Sequence, residues 1–490
     1  MKKRKPAFWG TTRNLTLAAA ATLMLAGSAL AQYSESILYT FTGSGSGAAA
    51  GQHFVFDSAG NLYGTTEVGG NNSNKCSVYV GDVGCGVVFK LTPTAEGSWT
   101  ETVLYTFTGD ADGSEPIGGV VLDSAGNLYG TTLFGGDVTS PHCHGFGAAD
   151  HPPGCGVVYK LTPTASGPWQ QTVLYTFTGG SDGALPWAGV ILDSAGNVYG
   201  TTQAGGHAFT CNAGGGGCGV VYKLTPTDQG PWTESILHAF TGNADGNQPL
   251  GGLTFDGSGN LYGVTYEGGD TSVSCFGSSF PGCGTVFELT PTTSGPWTEK
   301  TLYAFKGGTD GATPLFNVIL DSSGNVYGTA IYGGDLTAGN CPGGYGYDGP
   351  AGCGVVFELK QGTWEESVLY AFTGGGDGSL GLSQLVFDSA GNLYSTTADG
   401  GNLATPKCQY TNFPGCGVVF KLTHADAAPW TETVLTTFDV ADGAGPESNL
   451  LLDSAGNVYG MTNYGGDAAC TCGVVFKLEP PQDASIAERR

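Results

Sequence analysis

Six similar segments of this 490-residue chain each place an aspartate directly before a glycine. Carboxylates that converge on one point attract a cation or accept hydrogen bonds from a hydroxylated ligand. An Asp-Gly pair is also typical of a tight turn, in which glycine adopts a positive φ at little cost. The sequence leaves both interpretations open. The candidate binding aspartates are Asp112, Asp182, Asp245, Asp310, Asp377 and Asp442, whereas the corresponding segment 43–50 has no acid.

Asp110 and Asp112 form a D-x-D-G sequence similar to the start of a calcium-binding loop. The ligands that would complete such a loop are missing from the residues that follow. We therefore expect no resident cofactor, with calcium as the one ion that this pattern admits.

Residues 142–155 combine three histidines with two cysteines, and both residue types are zinc ligands. Cys143 and Cys155, however, occupy the positions at which every other unit of the sequence has a cysteine pair. We therefore expect a disulfide here rather than a zinc site, and only weak metal binding by the histidines. They are His142, His144 and His151.

The fourteen cysteines fall into seven neighbouring pairs. In an exported protein this parity predicts seven disulfides, each adding about 2–3 kcal/mol of stability by closing a small loop. The last pair stays open, because only Thr471 separates its cysteines and the ring between them would be strained. The pairs are Cys76–Cys85, Cys143–Cys155, Cys211–Cys218, Cys275–Cys283, Cys341–Cys353, Cys408–Cys416 and Cys470–Cys472.

Residues suited to catalysis are few. His53 and His238 are isolated in the sequence, and no serine lies in a nucleophile-elbow motif. Aromatic side chains beside carboxylates and amides are typical of ligand-binding surfaces, although they also pack glycine-rich loops. The candidate binding aromatic is Trp187. Aromatics in variable segments are Phe146, Phe209, Phe276, Phe280, Tyr345, Tyr347, Tyr410 and Phe413.

All these residues belong to a unit that recurs seven times. The phrase DSAGNLYGTT stands at 57–66 and again at 123–132, and successive anchor aspartates are 63 to 70 residues apart. Each copy of such a repeat is a supersecondary unit that buries its apolar face against its neighbours. The anchors are Asp57, Asp123, Asp193, Asp256, Asp321, Asp388 and Asp453.

One unit contains four predicted strands, which in the second unit are 118–123, 127–132, 156–161 and 169–177. Four antiparallel strands repeated seven times predict an all-β fold, a seven-bladed β-propeller with strands A to D numbered outward from the axis. A stacked β-solenoid is the competing architecture. The periodic aromatic that begins each strand D predicts packing between blades. It is Trp99, Trp169, Trp232, Trp297, Trp364, Trp430 and, at the N-terminus, Tyr33.

The two ends of the repeat array complement each other. Residues 33–39 match a strand D without its blade, and residues 472–478 match a strand C without a following strand D. We expect the N-terminal strand D to pair with the C-terminal strand C and to close the ring, because pairing removes an exposed sheet edge.

In such a propeller the B-to-C loops and the D-to-A crossings emerge on one face. Between the Gly-Gly pair and the second cysteine, the seven units have 14, 18, 11, 13, 18, 14 and 5 residues. Variable loops on a rigid scaffold usually carry recognition. The crossings with the six aspartates reach the same face, and we expect these aspartates near the mouth of the central channel.

The N-terminus resembles a secretory signal peptide, with four cations before an apolar run that ends in Ala29-Leu30-Ala31. Cleavage after Ala31 would remove five cations and no acid, so the formal charge would change from −25 to −30. Such a polyanion repels nucleic acid and anionic lipid. We expect a monomer that binds no nucleic acid and does not insert into membranes. The predicted domains are a signal peptide at 1–31, a propeller at 32–478 and a tail at 479–490.

The recurring phrases LDSAGNLYGTT, GG followed by Asp or Asn, and GVVFKLTP resemble the GloVer tandem-repeat family of exported bacterial proteins over residues 33–478. The resemblance implies export but brings no established activity or catalytic residue. Some members have a C-terminal anchoring segment, which 479–490 does not resemble, so we expect a secreted or periplasmic protein. At the level of fold, the hairpin phrase is also similar to streptogramin-lyase-like and gluconolactonase-like propellers.

The sequence thus favours a disulfide-stabilised binding or scaffold module for an extracellular glycan or protein, through the face with the B-to-C loops and D-to-A crossings. The alternative is a metal-dependent lyase or lactonase-like enzyme, because gluconolactonase-like propellers use acidic residues around a channel metal. Enzymatic activity is therefore undecided, and no catalytic residue is assigned.

Overall fold

The computed structural model describes residues 33–481 except for 44, 72–75, 77–83, 144–152, 166, 207–210, 212–215, 229, 276–280, 342–351, 405–407, 409–413 and 426–427. The predicted signal peptide and most of the predicted tail, residues 482–490, lie outside the described residues. Within the described part of the chain, no helix is long and apolar enough to cross a membrane.

Seven antiparallel sheets form a ring, so the described part of the chain is a seven-bladed β-propeller, which confirms the predicted fold. Each sheet has strands A to D, and the short strands Ala48–Ala50 and Ala312–Pro314 extend the first and fifth sheets. No α-helix is present among the described residues, where Pro141–Cys143 forms one turn of 3₁₀ helix.

The strand bounds follow the repeat. In blades 1 to 7, strand A is Val55–Phe56, Val120–Leu122, Ile191–Leu192, Thr254–Phe255, Ile319–Leu320, Val386–Phe387 and Leu451–Leu452. Strand B is Leu62–Val68, Leu128–Thr132, Val198–Thr202, Leu261–Thr265, Val326–Tyr332, Leu393–Thr397 and Val458–Met461. Strand C is Val87–Pro93, Val157–Thr162, Val220–Thr225, Thr285–Thr290, Val355–Lys360, Val418–Ala425 and Val474–Glu479. Strand D is Trp99–Thr106, Gln170–Thr176, Thr233–Ala239, Thr298–Ala304, Glu365–Ala371, Ala428–Thr437 and, in blade 7, Ser34–Thr40.

The anchor aspartate explains why the chain repeats the same phrase between strands A and B. Asp57 Oδ1 accepts hydrogen bonds from the backbone N–H groups of Ala59 and Asn61, both at 2.9 Å. Its Oδ2 accepts from the Asn61 side-chain amide at 2.7 Å and from the Tyr63 hydroxyl at 3.1 Å. Although burial opposes the shift, these hydrogen bonds lower the pKa of Asp57 and keep the turn's acceptor ionised.

Aromatic side chains join neighbouring blades. The ring of Phe107, directly after strand D in blade 1, lies 5.1 Å edge-on from Tyr159 in strand C of blade 2. The ring of Trp169, just before strand D of blade 2, lies 6.1 Å from Tyr63 in blade 1. This contact agrees with the packing role predicted for the periodic aromatic.

The sheet of blade 7 combines a strand from near the N-terminus with strands from near the C-terminus. Ser34–Thr40 pairs antiparallel with Val474–Glu479, so that Ser34 is opposite Glu479 and Thr40 is opposite Val474. Strand C of this blade therefore has a partner on each side, as strand C has in the other blades.

Candidate binding face and central channel

The structure pairs all fourteen cysteines, including Cys470 with Cys472. Each disulfide lies against a D-to-A crossing: at Gly242, the sulfur atoms of Cys211 and Cys218 occupy the space that a side chain would need. The backbone N–H of Gln248 donates to the carbonyl oxygen of Cys218 at 3.0 Å. The ends of the B-to-C segments and the crossings therefore share one face, where each disulfide closes its own segment and packs against the crossing.

The aspartate of a D-to-A crossing caps the preceding strand D. The Asp112 carboxylate accepts hydrogen bonds from the Thr108 backbone N–H at 2.9 Å, the Thr108 hydroxyl and the Tyr105 hydroxyl at 3.0 Å. Four other crossings have the same bond from a backbone N–H, at 2.7 to 2.9 Å. The acceptors are Asp182, Asp245, Asp310 and Asp377. Asp442 accepts from the backbone N–H of Asp439 at 2.6 Å.

The crossing without an acid has a serine in the same place. Ser46 Oγ accepts a hydrogen bond from the Thr42 backbone N–H at 2.8 Å, as the aspartates do elsewhere. This position therefore requires an acceptor and does not require a charge.

Hydroxyl groups on strand D connect these crossings to a glutamate of the next blade. The Tyr175 hydroxyl lies 3.3 Å from Asp182 in its own crossing and 3.0 Å from Glu234 in the next strand D. The Tyr39 hydroxyl donates to Glu101 at 2.9 Å in the same way. We call the glutamates at this position the inter-blade carboxylates: Glu35, Glu101, Glu234, Glu299, Glu366 and Glu432.

Burial raises the pKa of five inter-blade carboxylates to about 7, and one oxygen of each is buried without a hydrogen-bond partner among the described residues. Blade 2 has Gln171 at this position, and its amide donates to the Asp112 carbonyl oxygen at 2.8 Å. A neutral side chain therefore fits the site, as a protonated glutamate would. The five are Glu35, Glu101, Glu234, Glu366 and Glu432.

These contacts distribute the six candidate aspartates around the ring and do not bring them to one point. Each carboxylate caps the end of strand D, the outermost strand, whereas the sequence suggested a position near the channel mouth. The turn interpretation accounts for their hydrogen bonds. Within the described ranges, no three His, Cys, Asp or Glu side chains are grouped so that they could hold a metal ion.

Strand A lines the central channel. A cavity of about 320 Å³ is lined by strand A, or by the residues just before it, in six successive blades. Its polar side chains include His53, Asn317 and Gln384, and Gly189 lies at the corresponding position of blade 3. The position is four residues before the anchor aspartate in every unit. Its occupants are His53, Gly119, Gly189, Gly252, Asn317, Gln384 and Asn449.

The candidate aromatic Trp187 lies two residues before Gly189 and is half-buried against the core of blades 2 and 3. Its indole N–H is buried and has no hydrogen-bond partner in the described chain. The polar edge of the ring therefore faces the interior, and the contacts of Trp187 are those of a side chain packed against the core.

Two groups of predicted site residues lie outside the described residues. One is His144 and His151, and the other is the set of aromatics in the variable segments. His142 is described, and it is exposed beside the Cys143–Cys155 disulfide.

Solved structures with a similar arrangement have low sequence identity to this chain. A Trichoderma reesei protein of carbohydrate-active enzyme family AA12 is 13% identical over 92% of this chain and 96% of its own, with a TM-score of 0.43. A Xanthomonas campestris gluconolactonase is 12% identical over 92% of both chains, with a TM-score of 0.38. A Mycobacterium tuberculosis puromycin-hydrolyzing peptidase is 11% identical over 84% of this chain and 50% of its own, with a TM-score of 0.43. At these values the similarities carry no argument about function.

No curated protein matches the sequence. A family model described as the Gloeobacter/Verrucomicrobia repeat matches residues 77–342 and 337–488, which together cover most of the chain. This match confirms the resemblance carried by the repeated phrases, and the chain belongs to the Gloeobacter/Verrucomicrobia repeat family.

Proposed function

We propose that this protein is an exported binding module whose face of B-to-C loops and D-to-A crossings contacts an extracellular glycan or protein. The observation that carries the proposal is the disulfide that closes every B-to-C segment and packs against the neighbouring crossing. Segments of unequal length thus start from seven equivalent, braced positions. Bracing reduces the entropy that a loop loses on binding, which favours recognition.

The same observation supports an oxidising location. Disulfides persist in extracellular or periplasmic compartments and are rare in the cytosol. Seven of them in one ring suit a protein that works outside the cytoplasm.

The metal-dependent lyase or lactonase has less support than binding. The acids that motivated it cap strand D in separate blades, and the described residues contain no grouped set of ligands for a metal. Binding is therefore the function that the geometry favours.

Calorimetry against soluble polysaccharide fractions, together with pull-down of insoluble ones, tests the proposal. In the test variant, residues 342–351 are replaced by a Gly-Ser segment of equal length, so that Cys341 and Cys353 remain. In the matched control, the C-to-D turn at 163–168, on the opposite face, is replaced in the same way.

We expect the test variant to weaken binding at least about tenfold, which corresponds to about 1.4 kcal/mol, and the control to bind like the wild type. Equal loss in both variants, or binding by neither the wild type nor the control, would contradict the proposed face for glycans. Binding that requires a protein fraction instead would assign the same face to a protein partner.

A further inference from the structure

We propose that the central channel is a second binding site, for a small neutral molecule with several hydroxyl groups, such as a monosaccharide or cyclic polyol. The site is separate from the loop-rich face of the proposed function. It rests on the shape of the channel, on the side chains that line it and on the hydrogen bonds that these side chains do not make.

The shape of the channel follows from the residue four places before each anchor aspartate. Blades 2, 3 and 4 have glycine there, whereas blades 1, 5, 6 and 7 have histidine, asparagine or glutamine. At Gly119, Gly189 and Gly252 a side chain would collide with a neighbouring blade, so the A strands approach closely there, and polar side chains extend from this position only in the other blades. The resulting cavity of about 320 Å³ is at the small end of ligand pockets.

The lining of this cavity is apolar on one side and polar on the other. One side is apolar and includes Val121, Ile191 and Phe255, all of which are half-buried and thus reached by solvent. The other side has His53, Asn317 and Gln384. A sugar ring has apolar and polar groups that match these two sides, because its C–H groups pack against an apolar wall and its hydroxyl groups need hydrogen-bond partners.

The polar side chains have hydrogen-bonding capacity to spare. In the described part of the chain, neither the imidazole of His53 nor the amide of Gln384 has a hydrogen-bond partner. The Asn317 Oδ1 atom accepts from the backbone N–H of Gly252 at 2.6 Å, which fixes that side chain and leaves its NH₂ group as a donor. Three side chains thus offer both donors and acceptors to a ligand.

The cavity favours a ligand without charge. None of its lining residues is Asp, Glu, Lys or Arg. Burial also lowers the pKa of His53 to about 4, so the imidazole is neutral near pH 7. An ion that entered would lose hydration without gaining a counter-charge.

Two matched pairs of variants test the site. Val121→Phe extends a wall residue into the cavity, and its control is Val386→Phe, two residues before the anchor in blade 6 and outside the cavity lining. Gln384→Met removes an amide of similar size, and its control is Gln170→Met on the exposed side of strand D. Unfolding temperatures establish that each variant is folded.

The probes are D-glucose, myo-inositol and the anion D-glucuronate, measured by calorimetry and by ligand-observed NMR on the full-length exported chain. We expect at least one neutral probe to bind and glucuronate to bind at least about tenfold more weakly. Val121→Phe and Gln384→Met should each weaken the neutral probe about tenfold, a loss of about 1.4 kcal/mol, and the controls should change affinity by less than about twofold.

The proposal fails if neither neutral probe binds, if glucuronate binds as tightly as the neutral probes, or if Val386→Phe weakens binding as much as Val121→Phe. If Val121→Phe does not fold, Gln384→Met and the NMR signals of the His53 ring decide. Those signals, assigned with His53→Asn, should shift when the neutral probe is added, and an unchanged His53 ring would overturn the proposal. A loop-face variant that loses the macromolecule but keeps the neutral probe separates this site from the proposed function.

Discussion

A single carboxylate organises each A-to-B turn. Asp123 accepts hydrogen bonds from the backbone N–H groups of Ala125 and Asn127, from the Asn127 amide and from the Tyr129 hydroxyl, at 2.7 to 3.2 Å. An alanine would leave these donors without their common acceptor. The phrase is repeated because every blade makes this turn with the same small set of groups.

Asp123→Ala should therefore lower the free energy of unfolding by about 1–3 kcal/mol, the usual cost of leaving such donors unpaired. The measurement is chemical denaturation followed by tryptophan fluorescence. Asp228→Ala, at an exposed position between strands C and D, serves as the control and should have little effect. Equal losses in the two variants would show that the turn's hydrogen bonds are not what Asp123 contributes.

The inter-blade carboxylates make stability depend on pH. The pKa of Glu101 is raised to about 7 in the folded protein by burial, against an ordinary value of 4.5. The folded state therefore favours the protonated form, and this contribution to stability is complete below about pH 4.5 and lost as pH rises through about 7. We expect the unfolding temperature to fall between pH 5 and pH 8.

Glu101→Gln should reduce this pH dependence by stabilising the protein at pH 8 and changing little at pH 5. Gln171 already shows that a neutral amide is accommodated at the equivalent position. Thermal unfolding across this pH range measures the effect, with the exposed Glu365→Gln as the control. An unfolding temperature that rises from pH 5 to pH 8 in the wild type would refute the assignment.

At the scale of the element, the disulfide closes each B-to-C segment into a loop that packs against the D-to-A crossing. The chain-entropy account makes its contribution depend on the number of residues that it encloses. Cys143 and Cys155 are 12 residues apart, whereas Cys470 and Cys472 are 2 apart.

Replacing both cysteines of the 143–155 pair by serine should therefore cost about 3 kcal/mol, and the same change at 470 and 472 about half of that. Denaturation of the two double variants in parallel provides the comparison, with each serving as the other's control. A larger loss at the shorter pair would mean that contacts with the crossing, and not loop closure, determine the stabilisation.

The strands were predictable from sequence because hydrophobic runs and turn residues recur in every unit. Strand A of blade 2 was expected at 118–123 and is Val120–Leu122, since Gly119 has a φ of +75° that does not belong to a strand. The parity of the cysteines also predicted the disulfide pairs, with only the Cys470–Cys472 pair left open, and the Asp-Gly sequences gave the turn role of the crossings as one of two interpretations. Repetition was the source of each of these predictions.

The channel residues could not be predicted in this way, because their residue types do not repeat from blade to blade. His53, Asn317 and Gln384 differ from one another, so no pattern marked them as a group before the ring brought them together. One pattern does exist, because all three stand four residues before an anchor aspartate. The aspartates were placed too near the axis, because their capping bonds to strand D depend on how the crossing folds back.

At the scale of the whole molecule, the sheet of blade 7 depends on two distant parts of the chain. A protein that lacks residues 33–40 should lose the partner of Val474–Glu479 and expose that strand as an open edge. We expect a lower unfolding temperature and concentration-dependent association, measured by thermal unfolding and light scattering. The control is a chain that begins at residue 33, and the same stability in both chains would refute this role of the strand.

The register of this pairing also determines how the ring would respond to force. Ser34 and Glu479 are opposite each other where the two segments leave the sheet. A pull on both ends would load that first pair alone, and the remaining pairs would then open one after another at low tension. Stretched by its ends, the ring should therefore open at blade 7 before any other blade gives way.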